Sequence, residues 1–317
     1  MDALQARAGA VIGEVSRALL GKEAQIRTVM QAFLAGGHVL LEDMPGVGKT
    51  TLALAFSRAL ALDFRRVQFT PDVMPSDLTG FSVYRRDTGA FVYQPGSVFC
   101  HLLLADEINR ASPRTQSALL EVMEEGRVTV EGVTREVGDP FLVIATQNPA
   151  GSVGTQPLPD TQVDRFMVSL SLGYPDAEAE LEMAKTVGAG RRTDGLRRMV
   201  GREDLLAMQQ AVREVYIHDD IYRYILELIT ATRSHPQLAR GASPRATVSM
   251  VKMARSAAWL DGRDYVTPAD VRRLFPRVTA HRLLPAPHAK AEGVTGGQVA
   301  REIAESVKMP GTGKSGR

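Results

Sequence analysis

The loop Pro45–Thr50, with the sequence PGVGKT, is the feature that most constrains how this chain folds. It follows the apolar run Val39–Leu41 and leads into the mostly apolar stretch Thr51–Ala61. A strand, a glycine loop and a helix in this order form an anion-binding site, because backbone N–H groups and the positive end of the helix dipole converge on one point. Lys49 would then reach the outer phosphates of a bound nucleotide, and the Thr50 hydroxyl would ligate Mg²⁺.

Sequence context distinguishes this loop from a second copy of the pattern. The general phosphate-loop pattern has glycine at position 43, where this chain has Asp43, but Pro45 and Gly46 can still shape the turn. The second copy, PGTGKS at Pro310–Ser315, follows Ser306–Lys308, which does not resemble a buried strand. No helix-length segment comes after it, so we interpret it as part of a flexible tail.

The composition is that of a soluble globular protein. Of 317 residues, 44% are hydrophobic and 23% are charged, enough apolar sequence for about two domains. The net charge of +2 is close to neutral. Cys100 is the only cysteine, which excludes an intrachain disulfide and a thiolate metal cluster. Neither a signal peptide nor an apolar stretch of ~20 residues is present, so we predict a cytoplasmic protein without a membrane span.

Short apolar runs alternate with helical patterns from residue 38 to about residue 172, as in βαβ units. The strand candidates are Val39–Leu41, Arg66–Phe69, Leu102–Ala105, Phe141–Ala145 and Val168–Leu170. This alternation predicts an α/β fold with a largely parallel sheet flanked by helices. Ligands of such sheets bind at the carboxyl ends of the strands.

Two segments of the α/β region read as β-hairpin inserts, near residues 71–97 and 126–140. In each, alternating apolar residues stand on both sides of a turn that contains glycine. Helical patterns dominate after residue 173. We therefore predict an α/β core at 1–172, a small all-helical domain at 173–284 and a flexible C-terminal tail at 285–317. Within that tail, Val299, Ile303 and Val307 could form one short amphipathic helix that packs weakly.

An acidic pair follows one of the strand candidates directly. The run Leu102–Ala105 leads into Asp106 and Glu107. A nucleotide hydrolase needs such a pair, because one carboxylate orients the metal and the next activates the attacking water. We assign the metal role to Asp106 and the base role to Glu107. Asn148, which follows the strand candidate Phe141–Ala145, is a candidate to hold the same water, although asparagine before proline is equally typical of a turn.

The order of these motifs resembles that of AAA+ ATPases, and within them the MoxR family. The motifs span roughly residues 10–285 and are LEDMPGVGKT at Leu41–Thr50, QFTPDVMPSDLTG at Gln68–Gly80, ADEINRA at Ala105–Ala111, QSALLEVMEE at Gln116–Glu125, ATQNP at Ala145–Pro149, DRF at Asp164–Phe166 and GASPRA at Gly241–Ala246. Asp43 departs from the general pattern but not from MoxR members. The resemblance implies an AAA+ P-loop core with hairpin inserts and a helical lid domain.

The resemblance also implies roles for individual residues. Lys49 and Thr50 match the Walker A motif, Asp106 and Glu107 match Walker B, and Asn148 matches sensor 1. The implied catalytic residues are Lys49, Glu107, Asn148 and Arg165, and the implied Mg²⁺ ligands are Thr50 and Asp106. The implied ATP-binding residues are Asp43, Met44, Pro45, Gly46, Val47, Gly48, Lys49, Thr50, Thr51 and Arg245.

Two arginines match phosphate contacts of AAA+ rings. Arg165 matches the arginine that enters a neighbouring subunit's site, and Arg245 matches sensor 2, which contacts the γ-phosphate from the same chain. Arginine suits both roles because its planar fork binds phosphate oxygens in pairs and stays charged. A salt bridge with Asp160 or Asp164 is the structural alternative for Arg165. The rival or additional trans contacts are Arg110 and Arg114.

The activity that the resemblance implies is hydrolysis of Mg-ATP by a ring, typically a hexamer, that remodels or matures a partner protein or complex. Family members typically act with a von Willebrand factor A-domain protein. The hairpins would face the ring pore and engage the client, or they would only shape subunit contacts. A nucleic-acid motor of the same clade is one alternative, opposed by the near-neutral charge and the lack of interleaved basic and aromatic residues. The ATPase subunit of a metal chelatase is the other.

Overall fold

The computed structural model describes residues 3–148, 158–185 and 193–311. The first part of the chain alternates helices and strands, as predicted. Its elements are α1 (Ala3–Ser16), α2 (Glu23–Leu34), β1 (Val39–Glu42), α3 (Lys49–Ala59), β2 (Phe64–Gln68), α4 (Pro75–Thr79), β3 (Phe81–Arg85), β4 (Ala90–Gln94), β5 (Leu102–Asp106), α5 (Pro113–Glu125), β6 (Arg127–Val130), β7 (Val133–Glu136), β8 (Leu142–Gln147), α6 (Asp160–Val163) and β9 (Val168–Leu170).

Helices dominate the rest of the chain. The elements are α7 (Ala177–Lys185), α8 (Arg202–Arg213), α9 (Asp219–Arg233), β10 (Leu238–Arg240), α10 (Pro244–Leu260), α11 (Pro268–Thr279), β11 (Leu284–Pro285), α12 (Pro287–Ala291) and α13 (Gly296–Ser306). Single turns of 3-10 helix lie at Ile108–Arg110 and Ala280–Arg282. None of the helices in the described residues combines the length and the hydropathy that spanning a bilayer requires.

The C-terminal segment differs from the flexible tail predicted at 285–317. α13 begins with a capping box at Thr295 and buries Val299 and Ile303 against α9 and α11. The spacing of these apolar residues, one helical turn apart, outweighs the glycine-rich composition on which the tail prediction rested. The prediction is therefore wrong up to the end of α13. Residues 312–317, which hold most of the second PGTGKS loop, lie outside the described residues.

Five strands form one parallel sheet in the spatial order β2-β5-β8-β1-β9. The register pairs Gln68 of β2 with Asp106 of β5, and Ala105 of β5 with Ala145 of β8. Because the strands are parallel, their carboxyl ends lie at one edge, and the residues that follow β1, β5 and β8 lie side by side. The predicted fold class is confirmed.

Alternate residues of the central strands face two hydrophobic clusters, one on each side of the sheet. Leu41, Leu104 and Ile144 belong to the cluster that includes α1, α2 and α3. Leu40 and Leu103 belong to the cluster that includes α5. Each of these side chains is fully buried, which stabilises the fold by about 1.5–3 kcal/mol per side chain. Burial of both faces explains why the strands read as continuous apolar runs.

Each predicted insert forms an antiparallel hairpin, β3–β4 and β6–β7. The two hairpins contact each other, since the Ser82 hydroxyl donates a hydrogen bond to Glu131 at 2.6 Å. Phe91 is 73% exposed, and its ring lies 5.3 Å from the ring of Tyr84, centroid to centroid. The first hairpin therefore presents a pair of aromatic rings to solvent.

A buried ion pair fixes the helical region against the sheet. The Arg282 side chain is 2% exposed and donates to the Asp164 carboxylate at 2.9 Å and to the Phe166 carbonyl at 2.7 Å. These oxygens replace the water that the guanidinium loses on burial. Burial lowers the pKa of Arg282 to about 10, and Asp164 opposes the shift, so the arginine stays charged at neutral pH.

We expect Arg282→Ala to lower the free energy of unfolding by about 3 kcal/mol, because Asp164 loses its charged partner in a mostly buried position. Urea denaturation followed by circular dichroism measures this change. Arg301→Ala removes an exposed arginine of α13 and serves as the control, with a change within about 0.5 kcal/mol. Equal effects of the two substitutions would contradict the anchoring role of the pair.

Candidate active site

The phosphate loop uses backbone conformations that favour glycine. Gly46 and Gly48 have φ angles of 90° and 100°. α3 begins at Lys49, directly after the second of these glycines, so the unpaired N–H groups of its first turn lie at the loop. The Lys49 ammonium donates to the Asp43 carbonyl at 2.7 Å, which ties it to the start of the loop. Burial lowers the pKa of Lys49, and three nearby carboxylates oppose this shift.

A cavity of about 350 Å³ lies at the carboxyl ends of the strands. The residues that line it come from the phosphate loop, α3 and the ends of β2, β5 and β8: Pro45, Gly46, Gly48, Lys49, Thr50, Thr51, Arg66, Gln68, Asp106, Glu107 and Asn148. It thus brings together most of the site residues that the sequence predicts. The predicted site residues outside this lining are Asp43, Met44, Val47, Arg165 and Arg245.

Hydrogen bonds from β8 hold the acidic pair at the end of β5. Thr146 is fully buried. Its hydroxyl donates to Asp106 Oδ1 at 2.7 Å and accepts from the Glu107 backbone N–H at 2.8 Å. Glu107 has a φ of 57°, which is uncommon for a residue other than glycine. Such conformations cost free energy, persist where neighbours enforce them and are concentrated at functional sites.

Three side chains donate hydrogen bonds to the Glu107 carboxylate. They are Arg110 at 2.9 Å, Gln68 at 2.9 Å and Asn148 at 3.1 Å. Arg110 first, then Asn148, lower the pKa of Glu107 although burial opposes them, so the carboxylate is deprotonated at neutral pH. The Asn148 Oδ1 atom is buried and has no hydrogen-bond partner among the described residues.

Arg66 is a cavity residue that our sequence predictions missed. Its guanidinium donates to Asp106 Oδ2 from Nη2 at 2.7 Å and from Nε at 3.2 Å, and to Gln68 Oε1 at 3.0 Å. Sequence analysis also missed Gln68 and Thr146, which lie with Arg66 on the two strands that flank β5. The available signal was the i, i+2 spacing of Arg66 and Gln68, which puts both side chains on one face of a strand.

The residues at this cavity fit a magnesium ion. The Thr50 hydroxyl and the Asp106 carboxylate are oxygen ligands of the kind that Mg²⁺ prefers, and both line the same space. No group of three or more His, Cys, Asp or Glu side chains that could hold a metal occurs in the described residues. A sparse protein ligand set suits Mg²⁺, which takes most of its ligands from water and phosphate oxygens.

Asp43 supports the fold and does not line the cavity. Its side chain is buried, and the carboxylate accepts hydrogen bonds from the Ser171 hydroxyl at 2.5 Å, the Leu172 N–H at 2.6 Å and the Gly173 N–H at 3.1 Å. Ser171, Leu172 and Gly173 directly follow β9, where the backbone leaves the sheet. The structure therefore differs from the prediction that places Asp43 at the nucleotide, because its carboxylate bonds to residues 171–173 and does not line the cavity. We name this set of contacts the Asp43 clasp.

Arg165 and Arg245 lie together in a second cavity, of about 480 Å³. Both pair with Glu124, Arg165 from its Nε atom at 3.3 Å and Arg245 from Nη2. Residues 36–38, which precede β1, also line this cavity, whereas the phosphate loop follows the other end of β1. The structure therefore brings the two arginines together but does not place Arg245 at the phosphate loop of its own chain, which differs from the sequence prediction.

The acidic residues that we predict as alternative partners of Arg165 pair with other arginines. Asp160 pairs with Arg240, and Asp164 pairs with Arg282. A glutamate of α5 takes their place at Arg165. Arg165 therefore forms an ion pair, as the structural alternative predicts, but with Glu124 and not with Asp160 or Asp164.

Family models match both parts of the chain. The model described as the ATPase family associated with various cellular activities (AAA) matches residues 38–168, and an AAA lid domain model matches residues 230–303. The first range contains the parallel sheet and the cavity, and the second contains α10, α11 and most of α13. Together with the phosphate loop and the acidic pair, these matches define an AAA+ ATPase.

Whole-chain comparisons narrow the class further. Chaperone MoxR1 of Mycobacterium tuberculosis is 39% identical over 308 residues, which cover 94% of this chain and 81% of that protein. The uncharacterized protein YeaC of Bacillus subtilis is 44% identical over 302 residues, 95% of this chain and 94% of that one. A crystal structure from Cytophaga hutchinsonii, provisionally described as an ATPase, superposes with a TM-score of 0.89 at 36% identity, covering 97% and 96% of the two chains. This chain belongs to the MoxR family of AAA+ ATPases.

The Asp43 clasp gives a stability prediction. We expect Asp43→Ala to lower the free energy of unfolding by about 2 kcal/mol or more, because two backbone N–H groups and a hydroxyl lose their acceptor in a buried position. Urea denaturation of the nucleotide-free protein measures this loss. Asp72→Ala, at an exposed position of the same domain, is the matched control. An Asp43→Ala protein as stable as this control would contradict the clasp.

Proposed function

We propose that this chain binds Mg-ATP in the cavity at the phosphate loop and hydrolyses it to ADP and phosphate. The observation that carries the proposal is that one cavity gathers Lys49, Thr50, Asp106, Glu107 and Asn148 from three separate segments. Phosphoryl transfer to water needs a phosphate cradle, metal ligands and a group that activates water. The five side chains supply these three functions.

Each group of the cavity has its own role in this reaction. Lys49 and the loop N–H groups bind the outer phosphates. Thr50 and Asp106 would hold Mg²⁺, which would neutralise charge on the phosphate oxygens. Glu107 orients the attacking water and accepts its proton. Asn148 supports Glu107 through its 3.1 Å hydrogen bond and is proposed to hold the same water. The lowered pKa of Glu107 keeps the base deprotonated.

Glu107→Gln should bind ATP and turn it over about 10²–10⁴-fold more slowly, because an amide cannot accept the proton of the attacking water. Fluorescence titration with a labelled ATP measures binding, and phosphate release measures turnover. Glu121→Gln, on the exposed face of α5, should change neither quantity. Full turnover by Glu107→Gln would contradict the base role, and a wild-type protein that binds no ATP would contradict the proposal as a whole.

A cavity beside the phosphate loop supports a place for the nucleotide base. It measures about 370 Å³ and is lined by Leu20 and Gly21 of the α1–α2 turn and by residues of α7 such as Ala179 and Leu181. Leu19 of the same turn lies 3.5 Å from the position that a Cβ on Gly48 would occupy. A nucleotide with its phosphates at the loop would therefore direct its base towards this partly apolar space.

The second cavity supports a ring in which neighbouring subunits complete one another's sites. The four residues of β1 span roughly 13 Å and separate Arg165 and Arg245 from the phosphate loop of their own chain. The triphosphate that these guanidinium groups bind is therefore proposed to be that of a neighbour. A contact between two different surfaces, repeated around an axis, closes a ring. The resemblance to the family implies that the ring is a hexamer.

Mixing two inactive variants tests whether the arginines act in trans. Arg165→Ala subunits retain Glu107, and Glu107→Gln subunits retain Arg165, so a mixed ring contains interfaces with every catalytic group. In an equimolar mixture about a quarter of the interfaces are complete, and we expect a corresponding share of wild-type ATP turnover. Arg245→Ala mixed with Glu107→Gln should recover activity in the same way.

The matched control for the mixing experiment uses a doubly substituted partner. Subunits with both Glu107→Gln and Arg165→Ala cannot supply the missing arginine, so mixing them with Arg165→Ala subunits should restore nothing. Recovery with this partner, or no recovery with the singly substituted one although mixed rings form, would contradict trans action. If no partner restores the activity of Arg245→Ala, Arg245 acts in the site of its own chain.

The proposed client is a protein or a protein complex. One relative is named a chaperone, and the net charge of +2 offers little attraction for nucleic acid. The exposed rings of Tyr84 and Phe91 form an apolar surface on the first hairpin that suits a flexible polypeptide. A von Willebrand factor A-domain protein as adaptor, and a cytoplasmic location, are proposed from the family resemblance alone.

A further inference from the structure

The metal-binding carboxylate of the cavity already has a cationic partner. Both carboxylate oxygens of Asp106 accept hydrogen bonds, since Oδ2 accepts from Arg66 at 2.7 Å and 3.2 Å and Oδ1 accepts from Thr146 at 2.7 Å. The Asp106 side chain is only 10% exposed. A hydrogen-bonded pair with one partner in such a sheltered position interacts more strongly than a pair in open solvent.

Arg66 can move away from the Asp106 carboxylate and still lie within the cavity. Its side chain is 47% exposed and extends from β2, the edge strand of the sheet. It lines the same cavity as Lys49 and Thr50. A guanidinium that turns away from Asp106 therefore stays next to the place where the phosphates bind, and phosphate oxygens are good acceptors for arginine.

We propose that Arg66 is a displaceable counter-ion of Asp106. In the metal-free protein it occupies Oδ2 and shields the phosphates from the negative charge, and it moves to the phosphate side when a metal–nucleotide complex binds. A guanidinium and a divalent cation at the same carboxylate oxygen repel each other, so binding of the cation at Oδ2 favours the departure of Arg66. The inference rests on the proposed function and adds a positioning residue that acts through Asp106.

The position of Gln68 extends this pairing to the proposed base. Gln68 accepts from Arg66 through Oε1 at 3.0 Å and donates to Glu107 through Nε2 at 2.9 Å. The two side chains of β2 thus link the two carboxylates in one chain of hydrogen bonds. When Arg66 leaves Asp106, the hydrogen-bond network loses the link between the two carboxylates. Whether Asp106 holds Arg66 or a metal ion therefore affects the hydrogen bonding of Glu107.

The test compares nucleotide binding with and without metal. Fluorescent mant-ADP is titrated into the full chain in excess EDTA and in saturating Mg²⁺, and the ratio of the two Kd values is the readout, which does not depend on turnover. In Arg66→Ala the bare charge of Asp106 repels metal-free ADP and weakens binding in EDTA. In Mg²⁺ the variant loses the phosphate contact of Arg66 but also its competition with the metal, and these two effects oppose each other. We expect the ratio of Kd in EDTA to Kd in Mg²⁺ to rise about tenfold, the effect of one charge-assisted hydrogen bond.

Three further variants make the result specific. Arg66→Gln keeps most of the length without the charge and should raise the ratio as Arg66→Ala does. Arg66→Lys keeps the charge and should stay close to wild type. Arg86→Ala removes an exposed arginine from the first hairpin and should leave the ratio unchanged. Thermal unfolding of each nucleotide-free variant verifies that it is folded.

Two results would overturn the inference. If Arg66→Ala and Arg66→Gln weaken binding by the same factor with and without Mg²⁺, Arg66 is a plain phosphate-binding cation, because the ratio then stays constant. If neither variant changes either Kd, the ion pair between Arg66 and Asp106 does not affect binding of the metal–nucleotide complex. A wild-type protein that shows no saturable binding of mant-ADP in either condition would instead overturn the proposed function, and the inference with it.

Discussion

Parallel pairing of β5 between β2 and β8 is the constraint on which the site depends. Once Gln68 stands opposite Asp106 and Ala105 opposite Ala145, the side chains at the ends of three strands have to meet at one edge of the sheet. Thr146 then reaches both members of the acidic pair. The hydrophobic clusters on the two faces hold this register, because a slip by one residue would turn every buried leucine of a strand to the opposite side.

The phosphate loop, the acidic pair and the sheet were predictable because their signals are local. Glycines with positive φ, an apolar run that ends in two acids and the alternation of strands with helices are all legible within short windows. Arg66, Gln68 and Thr146 were not predicted, because their importance depends on which strands lie next to β5. That order is a property of the assembled sheet, and the sequence of any one strand does not reveal it.

Tertiary packing also decides where the lid residues lie. The resemblance places Arg245 at the nucleotide of its own chain, but the Arg282–Asp164 pair docks the helical region so that Arg245 meets Arg165 and Glu124. The C-terminal helix was only an alternative to the predicted tail for another reason, because the glycine-rich composition was given more weight than the helical spacing of Val299 and Ile303. Its glycines stand at the N-terminus of α13, where they interrupt nothing, and the apolar period that follows them decides the structure.

The Asp43 clasp has a mechanical consequence. Three hydrogen bonds on one buried carboxylate join the first residue after β1 to the strand exit at residues 171–173, and the Lys49 ammonium bonds to the carbonyl of the same aspartate. Lys49, which we propose to bind the nucleotide, and the linker towards the helical region are therefore both hydrogen-bonded to Asp43. A displacement of the loop during a catalytic cycle would therefore either move that linker with it or break these hydrogen bonds. A glycine in place of Asp43, which lacks the carboxylate, would uncouple the two motions.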